Sequence, residues 1–241
     1  MQAWDKIPDT AKDADGAYYA DYTGIMSVGW NADKYGDISS LDDLLDPKFA
    51  GTVALNGKPA EAGAAFNGYL MANQLAGGDI NNLQPGLDYF KKLKEAGNLT
   101  TVDVTNGTID SGQTGVVFDW TYNQASYKKE LKDKGVNWKY KTFPKAQVVS
   151  YYNQAINKDA PHPAAARLWE EYLHTADAQN LWFKGGANPV LLDSMKEDGT
   201  VDQATLKDAI TIEGEPVSYT NDDSTRITEW LQNNWDKTIG N

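Results

Sequence analysis

Three short stretches carry the side chains best suited to recognising a ligand. The first is Asn56-Gly57-Lys58-Pro59-Ala60-Glu61, where a cation and an acid follow a short apolar run and precede a helical pattern. Free N–H groups at such a strand-to-helix junction suit an anionic or carbonyl group. The second is Phe118-Asp119-Trp120-Thr121-Tyr122-Asn123, an acid beside two rings. A ring face over an ammonium contributes roughly 0.5–2 kcal/mol, so this stretch suits a cation. The same rings also stack on sugar faces, and Trp120 could instead pack beneath the loop. The third is Ser150-Tyr151-Tyr152-Asn153-Gln154, where strand alternation puts Ser150, Tyr152 and Gln154 on one face. A buried strand would spend these positions on Val, Ile or Leu; hydroxyls, amides and phenols suit a surface that touches a polar ligand. Tyr22 and Thr23 are further candidates, for an opposite wall.

These stretches need strands and helices to hold them. Residues 1–23 read as a loop, and Gly24 to Asn31 as a strand. Ser40 is the expected N-cap of a short helix, with Asp42 and Asp43 complementing its dipole and Pro47 stopping it. Thr52 to Leu55 is a short strand, with a helix from Ala60 to about Leu75 beyond the first loop. A second helix, Gly86 to Ala96, ends where Gly97 suits a left-handed cap. Val116 to Trp120 reads as a strand, Tyr122 to Lys134 as a helix, and Val136 to Phe143 as a strand. Val149 to Asn157 is another strand, followed after Pro161-His162-Pro163 by one long amphipathic helix. A last helix covers Asp223 to about Ile239. Strand-helix alternation with short connections predicts an α/β fold with parallel-type sheet packing.

Composition narrows the function. With 34 acidic against 22 basic residues and a net charge of −12, the chain is a poor ligand for nucleic acid or anionic membranes. The absence of cysteine rules out disulfides, thiolate catalysis and Cys-ligated metal centres. No apolar run approaches the roughly 18–20 residues that span a bilayer, and the first residues lack the apolar core of a signal peptide. The two histidines, His162 and His174, read as exposed or structural, and no cofactor or metal is expected.

The segment YYNQAINKDAPHPAAARLWEEYL (151–173) resembles the ligand strand, polar turn and following helix of bacterial ABC-transporter solute-binding proteins. Supporting segments are ISSLDDLLDPKFAGTVALNGKPAEAGAA (38–65), GQTGVVFDWTYN (112–123) and GGANPV (185–190). The similarity is to the type II periplasmic-binding-protein group that includes polyamine and ferric-iron binders. It implies a two-lobe α/β fold, with 1–35 and 150–188 in the first lobe and 36–149 and 189–241 in the second. Because such proteins open with a signal sequence and further βα units, the first lobe is expected to be incomplete. A truncated form of a larger binding protein is the favoured explanation, over a fragment, a deliberately cut form, or a lobe completed by another chain.

The resemblance implies capture without chemistry. A small polar solute would be enclosed between the lobes and delivered to permease subunits by an exported protein, with membrane contact only through the permease or a lost lipid anchor. Polyamine binders carry acids in the first loop, where Lys58 takes one matching position and Glu61 keeps the other. That departure argues against a purely polycationic ligand. The Trp120 position stacks on ligand in polyamine binders, and ferric binders use a tyrosine pair nearby. Tyr152 stands where polyamine binders carry an acid. The implied ligand set is Trp120, Tyr152, Glu61, Lys58, Tyr122, Asp119, Ser150, Gln154, Tyr22 and Thr23. The alternative is a secreted carbohydrate-active hydrolase with a carboxylate pair in an aromatic cleft. The adjacent pairs Asp42-Asp43, Glu170-Glu171 and Asp222-Asp223 read instead as helix-start or solvated acids.

Overall fold

A computed structural model describes residues 2–213 and 215–240. In chain order the elements begin with β1 (Tyr19–Asn31), α1 (Ala32–Tyr35), β2 (Val53–Leu55), α2 (Gly63–Leu75) and α3 (Gln84–Glu95). Next come α4 (Asn106–Asp110), β3 (Val116–Trp120), α5 (Thr121–Glu130), β4 (Trp138–Lys141) and β5 (Val149–Gln154). The chain closes with α6 (Pro163–Leu173), α7 (Ala176–Lys184), β6 (Asn188–Pro189), α8 (Leu192–Glu197), α9 (Gln203–Asp208) and α10 (Asn221–Thr238). Among the described residues, no helix is long and apolar enough to cross a membrane.

The chain forms two compact units. Unit 1 comprises residues 1–25 and 150–211, and unit 2 residues 26–149 and 212–241. These differ from the expected lobes at 26–35, which lie in unit 2, and at 189–211, which lie in unit 1.

In unit 2 the strand order is β2-β3-β1-β4. Every residue of β2 and β3 is buried, as expected for strands covered on both faces. Phe90 of α3 lies 5.9 Å from Phe118 of β3 and 5.2 Å from Trp235 of α10, so one aromatic cluster joins sheet and helices. Unit 1 has its own core, in which Ile7, Tyr19 and Phe183 pack with Val190, Leu192 and Met195.

The expected parallel sheet is corrected to a mixed one. β2 and β3 pair in parallel, whereas β1 runs antiparallel to β3, β4 and β6. Strand-helix alternation does not fix which strands become neighbours, and β1 finds its partners far along the chain. β1 is also longer than expected, starting at Tyr19 within the anticipated loop. The long helix after Pro163 is two helices, because Thr175 caps α7 by accepting from the Ala178 N–H at 3.3 Å. Nor is Ser40 an N-cap. The short 3-10 turn Asp42–Leu45 is held from the other side, with the Asp43 carboxylate accepting from Ser39 N at 2.7 Å and Ser40 N at 3.0 Å. Gly97, by contrast, has the expected left-handed φ of 74° after α3.

Two expectations follow. A Cβ on Gly29 would stand 2.0 Å from Gln124 Oε1 and 2.7 Å from Trp138 Nε1, two buried groups joined by a 2.8 Å hydrogen bond. Gly29→Ala should therefore cost about 1–3 kcal/mol in urea unfolding; unchanged stability would show that Gln124 can yield. The backbone N–H groups of Ser40 and Ser39 hold the Asp43 carboxyl down to about 2. A depressed carboxyl stabilises the fold above its unfolded value near 4 and loses that contribution as pH falls through about 2. Asp43→Ala should thus lower the thermal midpoint most near neutrality, with the gap to wild type closing towards pH 2.

Candidate functional site

In unit 2, the segment at Leu99 bridges in parallel to Val53, and β2 runs parallel to β3. Three neighbouring chain segments therefore end at one edge of the sheet. Beyond them lie Thr100–Asp103, Asn56–Glu61 and Thr121–Asn123, with Asp119 and Trp120 closing β3. Ligands of open α/β sheets bind past carboxyl strand ends such as these.

Asp119 organises this edge. It is fully buried. One carboxylate oxygen accepts from Trp120 N at 2.7 Å and Asn123 Nδ2 at 2.9 Å; the other accepts from Asn56 Nδ2 at 2.8 Å and the Tyr127 hydroxyl at 2.9 Å. Burial pushes this carboxyl above its ordinary value, while the Asn123, Trp120, Tyr127 and Asn56 hydrogen bonds pull the other way. Its oxygens are spent on the protein itself. Beside it, Trp120 is only 5% exposed and lies in the unit 2 core, with Tyr122 stacked on it at 6.3 Å and 16°. The half-buried Tyr122 is the ring nearer solvent.

The first loop turns tightly, with Glu61 N and Ala62 N both donating to Lys58 O, so α2 starts at Gly63 and not at Ala60. Lys58 and Glu61 are exposed. They line a groove of about 430 Å³ together with Thr100–Asp103 and Trp235. Sequence reasoning missed residues 100–103.

In unit 1 the five expected residues come together on β1 and β5. Thr23 and Ser150 engage each other: the Thr23 hydroxyl donates to Ser150 O at 2.8 Å and accepts from Ser150 N at 3.1 Å. Gln154 Nε2 donates to the buried Asp21 at 2.7 Å. Burial raises the Asp21 carboxyl, and His174, 3.7 Å away, opposes that. His174 is buried with its two ring nitrogens near Glu170 O and Ala20 O, while His162 is exposed.

Tyr22 and Tyr152 belong to an aromatic stack. Tyr152 stacks on Tyr22 at 4.7 Å and 16°, and Tyr22 on Trp182 of α7 at 4.4 Å and 28°. Tyr152 is 42% exposed. Trp182 was not anticipated, since in sequence it is one more ring in an amphipathic helix.

The adjacent acids offer no catalytic pair. Asp43 holds Ser39 and Ser40, Glu170 accepts from the Tyr19 hydroxyl, Glu171 from Gln2 N, and Asp223 from the Thr220 cap of α10. For Asp119, replacement by Ala would orphan four donors. We expect a loss of about 2–4 kcal/mol in chemical unfolding, and a smaller change would mean that water takes over the acceptor role.

Comparison with known proteins follows this geometry. The family model described as bacterial extracellular solute-binding protein matches residues 1–209. Among solved structures, periplasmic binding protein AfuA from Actinobacillus pleuropneumoniae, with fructose-6-phosphate bound, is 20% identical, with a TM-score of 0.69. That match covers 98% of this chain and 73% of AfuA. AgtB from A. tumefacien R10, in complex with agropinic acid, is 16% identical, with a TM-score of 0.70 over 98% of this chain and 73% of its own. Apo ferric ion-binding protein A from Pasteurella haemolytica is 18% identical, with a TM-score of 0.70 over 99% of this chain and 74% of its own. No curated protein sequence matches significantly. The fold is that of type II periplasmic binding proteins, and the chain belongs to the bacterial extracellular solute-binding protein family of ABC transporters, binding proteins and not enzymes.

Proposed function

We propose that this protein captures a small polar organic solute outside the cytoplasm and passes it to the permease of its ABC importer. The observation that carries the reading is the Tyr152–Tyr22–Trp182 stack, a row of rings whose outer member is left exposed on a polar strand. Monomeric proteins rarely leave such an aromatic platform open without a use for it. In unit 2 the corresponding contacts fall to Tyr122, backed by Trp120, and to Lys58 and Glu61 at the rim of the groove. Asp119, Thr23, Ser150 and Gln154 act one step back, by fixing the segments that carry these side chains.

The structural neighbours are a fructose-6-phosphate-bound protein, a protein in complex with agropinic acid and a ferric ion-binding protein, so they support solute capture without choosing the solute. The test begins with native mass spectrometry of the purified protein, followed by titration with fructose-6-phosphate, agropinic acid, spermidine and any molecule that co-purifies. A bound solute should raise the thermal midpoint and be recovered chemically unchanged. Tyr152→Ala and Tyr122→Ala, each tested alone, should weaken its binding about tenfold or more while leaving the unfolding midpoint of the free protein nearly intact. Full affinity in the Tyr152 variant, or a chemically altered solute, would remove the basis for this assignment.

A further inference from the structure

Exposed apolar surface is shared unevenly between the two units. Among the described residues, six of the seven large hydrophobic side chains left exposed belong to unit 1, the smaller unit, and one, Val102, to unit 2. Four of the six stand on two consecutive helices: Leu168, Trp169 and Tyr172 on α6, and Leu181 on α7. Leu168 is 72% exposed and Trp169 58%, and the Trp169 and Tyr172 rings lie 5.6 Å apart. At 3.6 residues per turn the three α6 positions share one arc of the helix, while Glu170, Leu173 and His174 fall on the other side and are buried. A surface helix normally turns its apolar stripe inward and its charges outward. α6 instead buries a glutamate and presents Leu and Trp to solvent, and a contiguous apolar face of this kind marks a surface with a partner.

We propose that this face is an internal seam, covered by a further segment of the same polypeptide upstream of Met1. That segment adds a layer to unit 1 and seats aliphatic and aromatic side chains on Leu168 and Trp169. Three observations choose this occupant. Matches that take in 98–99% of this chain leave about a quarter of AfuA, AgtB and the ferric ion-binding protein without a counterpart, and in each the surplus belongs to the same chain. That much polypeptide is ample for a strand-helix unit, which needs a few tens of residues. Gln2 lies against α6, its N–H donating to a Glu171 carboxylate oxygen at 3.0 Å, so residues ahead of it emerge beside the apolar face. A second copy fits less well, because a chain of net charge −12 repels its own kind. The seam is independent of which solute is bound.

The chain has no cysteine, so one introduced thiol makes a clean reporter. Leu168→Cys and Trp169→Cys are labelled with a maleimide in the 241-residue chain and in the longer product read from the coding sequence ahead of Met1, and the labelled peptide is identified by mass spectrometry. Both thiols should react freely in the shorter chain and about a hundredfold more slowly in the longer one. Val102→Cys, in unit 2, should react alike in both, and equal slowing there would count against a seam confined to unit 1. As a second measurement, Leu168→Glu should leave the unfolding midpoint of the shorter chain unchanged and lower that of the longer product. The proposal fails if the reading frame opens at Met1, or if positions 168 and 169 react as fast in the longer product as in the shorter. It fails equally if both positions are protected in the 241-residue chain to a degree that grows with its concentration, which would give the face to a second copy. Solute capture is judged separately, by the titrations above.

Discussion

The carboxylate of Asp119 is the constraint on which the unit 2 site depends. A buried ionised carboxylate is costly unless its lone pairs are filled, and here four donors fill them. Those donors come from the start of α5, from Tyr127 a turn further on, and from Asn56 in the loop after β2. One desolvated charge thereby fixes where two strand ends release the chain. The loop that carries Lys58 and Glu61, and the ring pair Trp120–Tyr122, inherit their positions from it. Such a network stiffens the edge of the sheet on which those side chains stand.

Unit 1 reaches a similar result with different chemistry. Thr23 and Ser150 stitch β1 to β5, and Asp21 receives Gln154 from one side and lies beside His174 on the other. Thr23, Ser150 and Gln154 thus spend their polar atoms inside the unit. What is left facing outward is a ring, Tyr152, whose plane is set by Tyr22 and Trp182 behind it. In both units buried polar side chains position the backbone, and aromatic faces form the surface.

Local features were legible in the sequence. The strands β2 and β3 and the end of α3 at Gly97 follow from side chains within a few residues of one another. What depended on distant partners was not. The antiparallel neighbours of β1 come from residues about ninety to one hundred and seventy positions away. The apolar pattern after Pro163 runs straight through His174, so nothing in its period marks the break that Thr175 makes. Asp119 looked like a cation partner for adjacent rings; one of the four donors that fill its oxygens, Asn56, lies 63 residues upstream. Trp182 and the Thr100–Asp103 ledge carried no local signal, since a ring on an amphipathic helix and a polar turn are both commonplace.

β1 is a single strand of 13 residues whose first part pairs Thr23 with Asn188 and whose second part pairs Met26 with Trp120. Because side chains on a strand point up and down in turn, two separate packings read the same ruler. Adding or deleting one residue between those two marks would invert the parity of one half, turning its inward side chains to solvent. The chain can drift in composition there, yet not in length.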